Sequence, residues 1–440
     1  MKAAHPRPAE ALDPAIKRPP LPGALAKGIV SQVILSAGNF AVTLILLRFA
    51  SNDQYGYYVL VSSGVMILTS LQGALVGPAM VNRLNLSGPG GRSDLIGGLY
   101  VGQRWALMRV FGVSAACIAI LWATRKLDSA TTWLTVVALT AAWTGLYRQF
   151  FRMVSNAYRN AMAALRGDLA YTALLLCGAG FGIATSAPAI VTLIFMSLGS
   201  IASGRESSRL LWRNESWNFD ATPRVWRDIA AVGIWPATGT VAFWAYNQGY
   251  NYLVAGTMNL TAVAALASTR TLMMPVTLLS TGVSPLMLTS VSVWLKEHGV
   301  RATLRRVTLA AAAMAALALF YAALLWPARD FVFGRILHKD FAQRDLLLLI
   351  WCLASVAMVA RDQFVNFLLA RARYRSLTAV TVMSSIIALT VIFVMIGRIG
   401  APGAAIGVLA GELAYTLGLI ALSRFELSRQ AANVAPLTSK

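Results

Sequence analysis

The sequence predicts an all-α polytopic membrane protein of about 12 transmembrane helices in two pseudo-symmetric six-helix lobes. Three observations carry that prediction. The 440 residues are 57% hydrophobic and only 12% charged, with a mean hydropathy of +0.63. Soluble domains carry about 25% charged residues, so lipid is the solvent this chain requires. Apolar stretches long enough to cross a bilayer recur along the chain, six before and six after one polar stretch, Arg205 to Asp228. Short segments of the first half also reappear in the second, in the same order.

A helix crossing a bilayer needs about 20 apolar residues. The spans expected are 25–47, 55–81, 103–124, 130–152, 168–185, 188–204, 229–254, 262–294, 304–326, 343–369, 377–397 and 402–423. The polar stretch between the sixth and seventh holds Arg205, Glu206, Arg209, Arg213, Glu215, Asp220, Arg224, Arg227 and Asp228. It reads as a hinge-like loop. The domain reading is a disordered tail at 1–24, a first lobe at 25–204, a linker at 205–228, a second lobe at 229–423 and a tail at 424–440. Residues 1–23 are rich in proline and lack an apolar h-region, so no cleavable signal peptide is expected there.

The net charge of +21 is the kind of excess that binds nucleic acid, but in a membrane chain Lys and Arg gather in cytoplasmic loops. No nucleic-acid partner is expected. With both termini placed in the cytoplasm, the opposite side holds Arg48, Arg125, Lys126, Arg329, Arg335, Lys339, Arg344 and Arg398. Arg109, Arg148, Arg152, Arg270 and Arg361 fall inside spans. The remaining basic residues outnumber the opposite set roughly three to one, which sets the orientation.

The halves match in sequence order. Val76-Gly77-Pro78-Ala79-Met80-Val81 pairs with Val283-Ser284-Pro285-Leu286-Met287-Leu288. Arg148-Gln149-Phe150-Phe151 pairs with Asp362-Gln363-Phe364-Val365, and Lys27-Gly28-Ile29 with Arg227-Asp228-Ile229. Six helices per copy keep both copies in one orientation, a repeat plan common among transporters.

Several function classes drop out. No Gly-x-x-x-x-Gly-Lys-Ser/Thr loop is present, so no P-loop nucleotide site is expected. His5, His298 and His338 are scattered, and Cys117, Cys177 and Cys352 each sit alone in apolar runs. The cysteines read as small core residues, and neither a metal site nor a disulfide is expected.

Leu46-Leu47-Arg48-Phe49-Ala50 followed by Tyr55-Gly56-Tyr57-Tyr58 resembles the opening hairpin of bacterial polysaccharide flippases, the Wzx-like branch of the MATE and MurJ-type (MOP) superfamily. Phe333-Gly334 with Asp340-Phe341-Ala342 resembles that family's loop before helix ten. Gly400-Ala401-Pro402-Gly403-Ala404-Ala405-Ile406-Gly407 is similar to its opening of helix twelve. The central loop and the basic content of helix one depart from any single subfamily. The resemblance implies a flippase, not an enzyme, in the bacterial inner membrane. It would move a polyprenyl-diphosphate-linked oligosaccharide for exopolysaccharide, O-antigen or capsule assembly. A polysaccharide polymerase and export machinery are the protein partners it implies.

The residues supply candidates for that task. An intramembrane charge costs roughly 2.5–3.5 kcal/mol on insertion scales, and the Arg fork suits phosphate. Arg270 and Arg361 are the first phosphate candidates, with Arg148 and Arg152 four residues apart on one helix face. Each has a plainer alternative: snorkelling for Arg270, a structural bridge for Arg361 and ordinary cytoplasmic charge for Arg148 and Arg152. Asn247, Gln248, Asn251 and Asn39 offer amides to sugar hydroxyls, or to neighbouring helices. Asp362 and Glu412 are candidates for proton or sodium coupling or for gating, and no cofactor is expected. Two rival functions remain open: a proton- or sodium-coupled multidrug exporter, and a membrane polysaccharide polymerase or ligase built on Arg329, Asp330, His338, Lys339 and Asp340.

Overall fold

Helix ends in this chain are written in its capping residues. Ser51 accepts the amide of Gln54 at 3.2 Å and starts the second helix. Asp128 accepts the amides of Ala130 and Thr131 and starts the fourth, and Asn259 caps the ninth through Ala262 at 2.8 Å. Gly400, at φ 68°, stops the twelfth in a left-handed conformation open to glycine.

A computed structural model describes residues 21–158, 160–214, 217–220 and 224–434. The helices of the first half are α1 (Leu21–Phe49), α2 (Asn52–Leu86), α3 (Pro89–Ala123), α4 (Ser129–Ala157), α5 (Ala161–Ile183) and α6 (Pro188–Asn214). The second half has α7 (Arg224–Asn247), α8 (Tyr250–Thr257), α9 (Leu260–Thr271), α10 (Met274–Phe331), α11 (Arg344–Ala370), α12 (Tyr374–Ile399) and α13 (Ala401–Val434). A π-helical turn, Val332–Leu337, follows α10. No strand occurs among the described residues.

Among the described residues, thirteen helices make about twelve crossings. α7 and α8 form one, and α9 with the first part of α10 forms the next. Gly299, at φ 72°, then folds α10 into two spans. Eight helices are long and apolar enough to cross a membrane by composition alone. α4, α7 and α11 are not among those eight, and they carry Arg148, Arg152, Arg227, Asp228, Arg361 and Asp362.

The apolar core shows how the two lobes meet. One cluster joins both lobes at the end far from the chain termini. It includes Leu46, Leu47 and Tyr55 of the first lobe with Tyr250, Leu266, Phe333 and Trp351 of the second. Toward the termini the core divides. Met80, Ile96, Phe151 and Trp217 belong to a first-lobe cluster that takes in Ile229 and Val225 from the start of α7. Val307, Phe367 and Leu419 form a separate second-lobe cluster. The lobes are therefore sealed at the far end and divided at the terminal end, with α7 seated on α2.

Several expectations are corrected. Most of the stretch 205–228 is helical: α6 runs to Asn214 and α7 begins at Arg224. Its charges mark where helices leave the lipid, and a helix in water keeps its hydrogen bonds. Within the connection, Trp217 is buried among Phe151, Tyr100 and Trp212. The amide of Asn218 donates to Ser93 O at 3.3 Å, which ties the connection to α3. α13 likewise continues to Val434, past the expected tail boundary at 424, and α1 begins at Leu21. The expected tails at 1–20 and 435–440 lie outside the described residues. Cys117 and Cys177 are exposed on the apolar surface, and only Cys352 is buried. Apolar periodicity does not separate a lipid-facing position from a core one.

Candidate functional site

α1 has three faces, each at helical spacing. Ser31, Leu35, Gly38 and Val42 are buried, and Gly38 meets Thr172 of α5. Val30, Val33 and Ala37 are exposed and apolar, as a lipid face requires. The remaining stripe, Gln32, Ser36, Asn39 and Thr43, is open and polar, stepping i, i+4, i+7, i+11. A polar stripe on a membrane helix faces a cavity rather than lipid.

Beside this stripe, two guanidiniums share one carboxylate. Arg148 Nη2 donates to Asp168 Oδ1 at 3.0 Å, and Arg152 Nε donates to Oδ2 at 3.1 Å. The Ser31 hydroxyl donates to the same carboxylate. Arg152 Nη2 also reaches Gln32 Oε1 at 3.0 Å, and the Arg148 guanidinium lies 3.6 Å over the Tyr171 ring. Asp168 is 1% exposed, while Arg148 and Arg152 are 16% and 23% exposed. The cluster carries a surplus of one positive charge on its open side.

The second lobe holds a network of one guanidinium and two carboxylates. Arg361 Nη1 donates to Glu412 Oε2 at 2.5 Å, and its Nε and Nη2 donate to Asp362 Oδ1 at 3.1 and 2.7 Å. Tyr246 Oη donates to Glu412 at 3.1 Å, and Asn247 Nδ2 reaches the same oxygen at 3.4 Å. Phe243 and Tyr415 flank the Arg361 guanidinium, each 5.3 Å from ring centre.

Arg270 completes this side. The helix break between α7 and α8 leaves backbone carbonyls that lipid cannot satisfy. Arg270 Nη1 donates to Asn247 O at 2.6 Å, and Nη2 donates to Asn247 Oδ1 at 2.8 Å. A second break falls at Leu272-Met273, because Pro275 starts α10 and lacks an amide proton. There Tyr321 Oη donates to Leu272 O at 2.8 Å. Pro285 sits inside α10 without breaking it.

Several site expectations change on this geometry. Arg270 and Arg361 are not open phosphate ligands: the first caps a broken helix, and the second is 6% exposed between two carboxylates. Arg148 and Arg152 are not surplus cytoplasmic charges, since both lie within α4 on a buried partner. Asp362 and Glu412 are joined through Arg361. Asn247 is taken up by Arg270 and Glu412. Gln248 and Asn251 form a triad with Ser63 across the lobes, with all three contacts at 3.0–3.1 Å. Asn39 lies on the open stripe of α1, and its carbonyl accepts Thr43 Oγ1 at 2.7 Å.

Sequence reading missed Asp168, Ser280 and Ser284. Asp168 sits at the predicted edge of a span, where a carboxylate reads as interfacial.

No family model and no curated protein matches this chain. Solved structures do match in fold. An inward-facing multidrug resistance MATE transporter of the MOP superfamily superposes with a TM-score of 0.66 at 13% identity, covering 95% of this chain and 100% of that one. The lipid II flippase MurJ, in an inward closed conformation, gives 0.71 at 12% identity over 91% of this chain and 87% of that one. A eukaryotic MATE transporter gives 0.62 at 10% identity over 91% and 95%. The chain has the fold of a two-lobed, multi-pass membrane transporter. More particularly, that fold is the one the MATE and MurJ transporters of the MOP superfamily share. An outward-facing MATE form also superposes with a TM-score of 0.66 at 11% identity, over 96% of this chain and 99% of that one.

Proposed function

We propose that this protein is a flippase that moves a polyprenyl-diphosphate-linked oligosaccharide across the bacterial inner membrane by alternating access. The termini lie in the cytoplasm in this reading, and the product feeds exopolysaccharide, O-antigen or capsule assembly. The observation that carries it is the pair Arg148 and Arg152 on the single buried carboxylate Asp168. That arrangement fixes two forks in a part-exposed wall and leaves one unbalanced positive charge. A diphosphate is the ligand class that two forks and a surplus charge fit. The polar stripe Gln32, Ser36, Asn39 and Thr43 continues the wall with groups that exchange hydrogen bonds with hydroxyls.

The test is leaflet accessibility of the lipid-linked glycan, read with a membrane-impermeant glycosidase added outside cells. Loss of the protein should leave the glycan inaccessible and accumulated. Arg148→Gln and Arg152→Gln should each fail to restore access, while Arg152→Lys restores part of it. Rescue by both Gln variants at wild-type level refutes the phosphate role.

A second reading is a multidrug exporter. The complete coverage of a MATE chain and the part-exposed Asp362 favour it. Against it, Asp362 is already paired with Arg361, and the first lobe's carboxylate is outnumbered by arginines. Resistance to cationic dyes on overexpression, with no change in glycan accessibility, would reverse the order.

A further inference from the structure

On α11 one charged group, Asp362, stands part-exposed among apolar neighbours. The lipid face of this helix is marked by the exposed residues Leu346, Leu349 and Leu353. At 100° per residue, Met358, Asp362, Val365 and Leu369 fall on the opposite side of the helix, and all four are part-exposed. That side faces away from the exposed leucines. Asp362 is 27% exposed there.

Two rungs join this face to α10. Ser280 Oγ donates to Asp362 Oδ2 at 2.8 Å, and Ser284 Oγ donates to Asn366 Oδ1 at 3.0 Å. The rungs repeat at four residues on both helices, so they lie about one 5.4 Å turn apart. Asn366 is 3% exposed, and its Nδ2 has no protein partner. A buried amide donor without a partner is costly, and such a group points to a ligand or solvent acceptor.

We propose that Ser284, Asp362 and Asn366, braced by Ser280, form a subsite for sugar hydroxyls. This rests on the flippase reading above and assigns the glycan part of the head group to the second lobe. The chemistry selects the ligand class. Asp362 offers carboxylate acceptors, Asn366 offers two N–H donors, and Ser284 retains oxygen lone pairs. A hydroxyl both donates and accepts, so adjacent hydroxyls on a pyranose satisfy the two rungs together. A phosphate is repelled by Asp362. The head group then bridges the lobes, with its diphosphate on Arg148 and Arg152 and its sugar on α10 and α11. A ligand that touches both lobes favours the conformation that brings them together.

The test compares two probes, undecaprenyl diphosphate and undecaprenyl diphosphate carrying one N-acetylglucosamine. Binding to the full chain in nanodiscs is read by native mass spectrometry, with phosphatidylglycerol as competitor. The wild type should prefer the sugar-bearing lipid about tenfold, equivalent to about 1.4 kcal/mol. Asn366→Leu and Ser284→Ala should each erase that preference and leave binding of the bare diphosphate lipid intact. Ser284→Ala removes one hydroxyl at a part-exposed position, and so keeps the test valid if Asn366→Leu fails to fold. Equal binding of the two lipids by the wild type, or a preference that survives in the folded variants, overturns the subsite and leaves the flippase reading standing. Binding of neither probe above phosphatidylglycerol overturns the flippase reading, and the subsite with it.

Discussion

Arg361 and Glu412 form an ion pair at 2.5 Å between α11 and α13, with Glu412 fully buried and Arg361 nearly so. Two adjoining groups on α7, Tyr246 and Asn247, donate to the same carboxylate. The pair therefore pins three helices of the second lobe at one point. Removing one member of a buried pair costs about 3–5 kcal/mol where the other is left uncompensated; without Glu412, Arg361 keeps Asp362 at 2.7 Å, which puts the cost at the low end of that range. Glu412→Gln is accordingly expected to lower stability by an amount of that order, read from thermal unfolding in detergent. The double change Arg361→Met with Glu412→Met removes both charges and is expected to recover at least half of the loss. If Glu412→Gln unfolds like the wild type, the pair does not hold the lobe together.

Arg270 has a different job from its neighbour in charge. It gives both terminal nitrogens to Asn247, at the carbonyl and the side chain, where α7 stops short of α8. Its guanidinium also lies 5.0 Å from the Trp351 ring. Arg270→Gln is expected to leave that carbonyl without a donor and to destabilise the hairpin by roughly 1–3 kcal/mol. Faster hydrogen exchange confined to 244–257 would show it. A transport defect with unchanged exchange there would mean that Arg270 acts on the ligand instead.

Much of the fold was legible because lipid imposes one rule on every span. Twelve apolar stretches separated by basic turns gave the crossings; ten expected spans each lie on one observed helix to within two residues, while 229–254 and 262–294 each cover two. The boundaries at 205–228 and 424 failed because charge reports depth in the membrane, not the end of a helix. The site was legible only as residue types. Sequence singles out an intramembrane Arg, since its cost demands a reason. It does not say whether that reason is a ligand, as argued for Arg148 and Arg152, or a backbone carbonyl, as at Arg270. The partner decides, and the partner is long-range: Arg152 meets Gln32 across 120 residues, and Ser280 meets Asp362 across 82. The Gln32 to Thr43 stripe was within reach of periodicity alone, since its polar residues already step at helical spacing.

The far-end seal is testable through its closest approach. Gly56 of α2 lies against the carbonyl of Leu260, where a Cβ would collide with backbone. Thr261 Oγ1 donates to Asp53 at 2.9 Å, and Lys339 Nζ donates to Ala50 O at 2.7 Å, both across the lobes. Gly56→Ala is expected to part the lobes at this end. Spin labels at positions 51 and 258 should show a longer mean distance in the variant than in otherwise wild-type protein. Lys339 adds a pH dependence. Burial lowers its pKa from the ordinary 10.5. A pKa lower in the sealed form than in the opened, hydrated one means that losing the proton favours sealing. Raising pH through the window below 10.5 should therefore shorten the label distance, and Lys339→Met should abolish that response. A distance that lengthens with pH in the wild type would contradict this linkage.

The start of α4 offers a second pH test, of opposite sign. Asp128 caps that helix, accepting Ala130 and Thr131 amides at 3.1 and 3.4 Å. The Thr131 side chain and then these amides hold its carboxyl below the ordinary 3.8. A carboxylate with a lowered pKa supports the folded form above 3.8, and the support is lost as pH falls through its lower, folded value. Asp128→Ala should therefore fray the first turn of α4 at neutral pH, seen as faster hydrogen exchange across 129–136. Asp128→Asn keeps an acceptor and should retain most of the protection. The difference in protection between wild type and Asp128→Ala isolates the cap, because intrinsic exchange changes equally in both. That difference should be full at pH 7 and should shrink below 3.8 toward the margin that the uncharged Asn variant shows. The Asn variant should keep its margin over Ala throughout, since its amide does not titrate. A wild-type margin that persisted in full at the acid end would show that the hydrogen bonds, rather than the charge, hold this turn. α4 would then present Arg148 and Arg152 to the cleft independently of the ionisation of its cap.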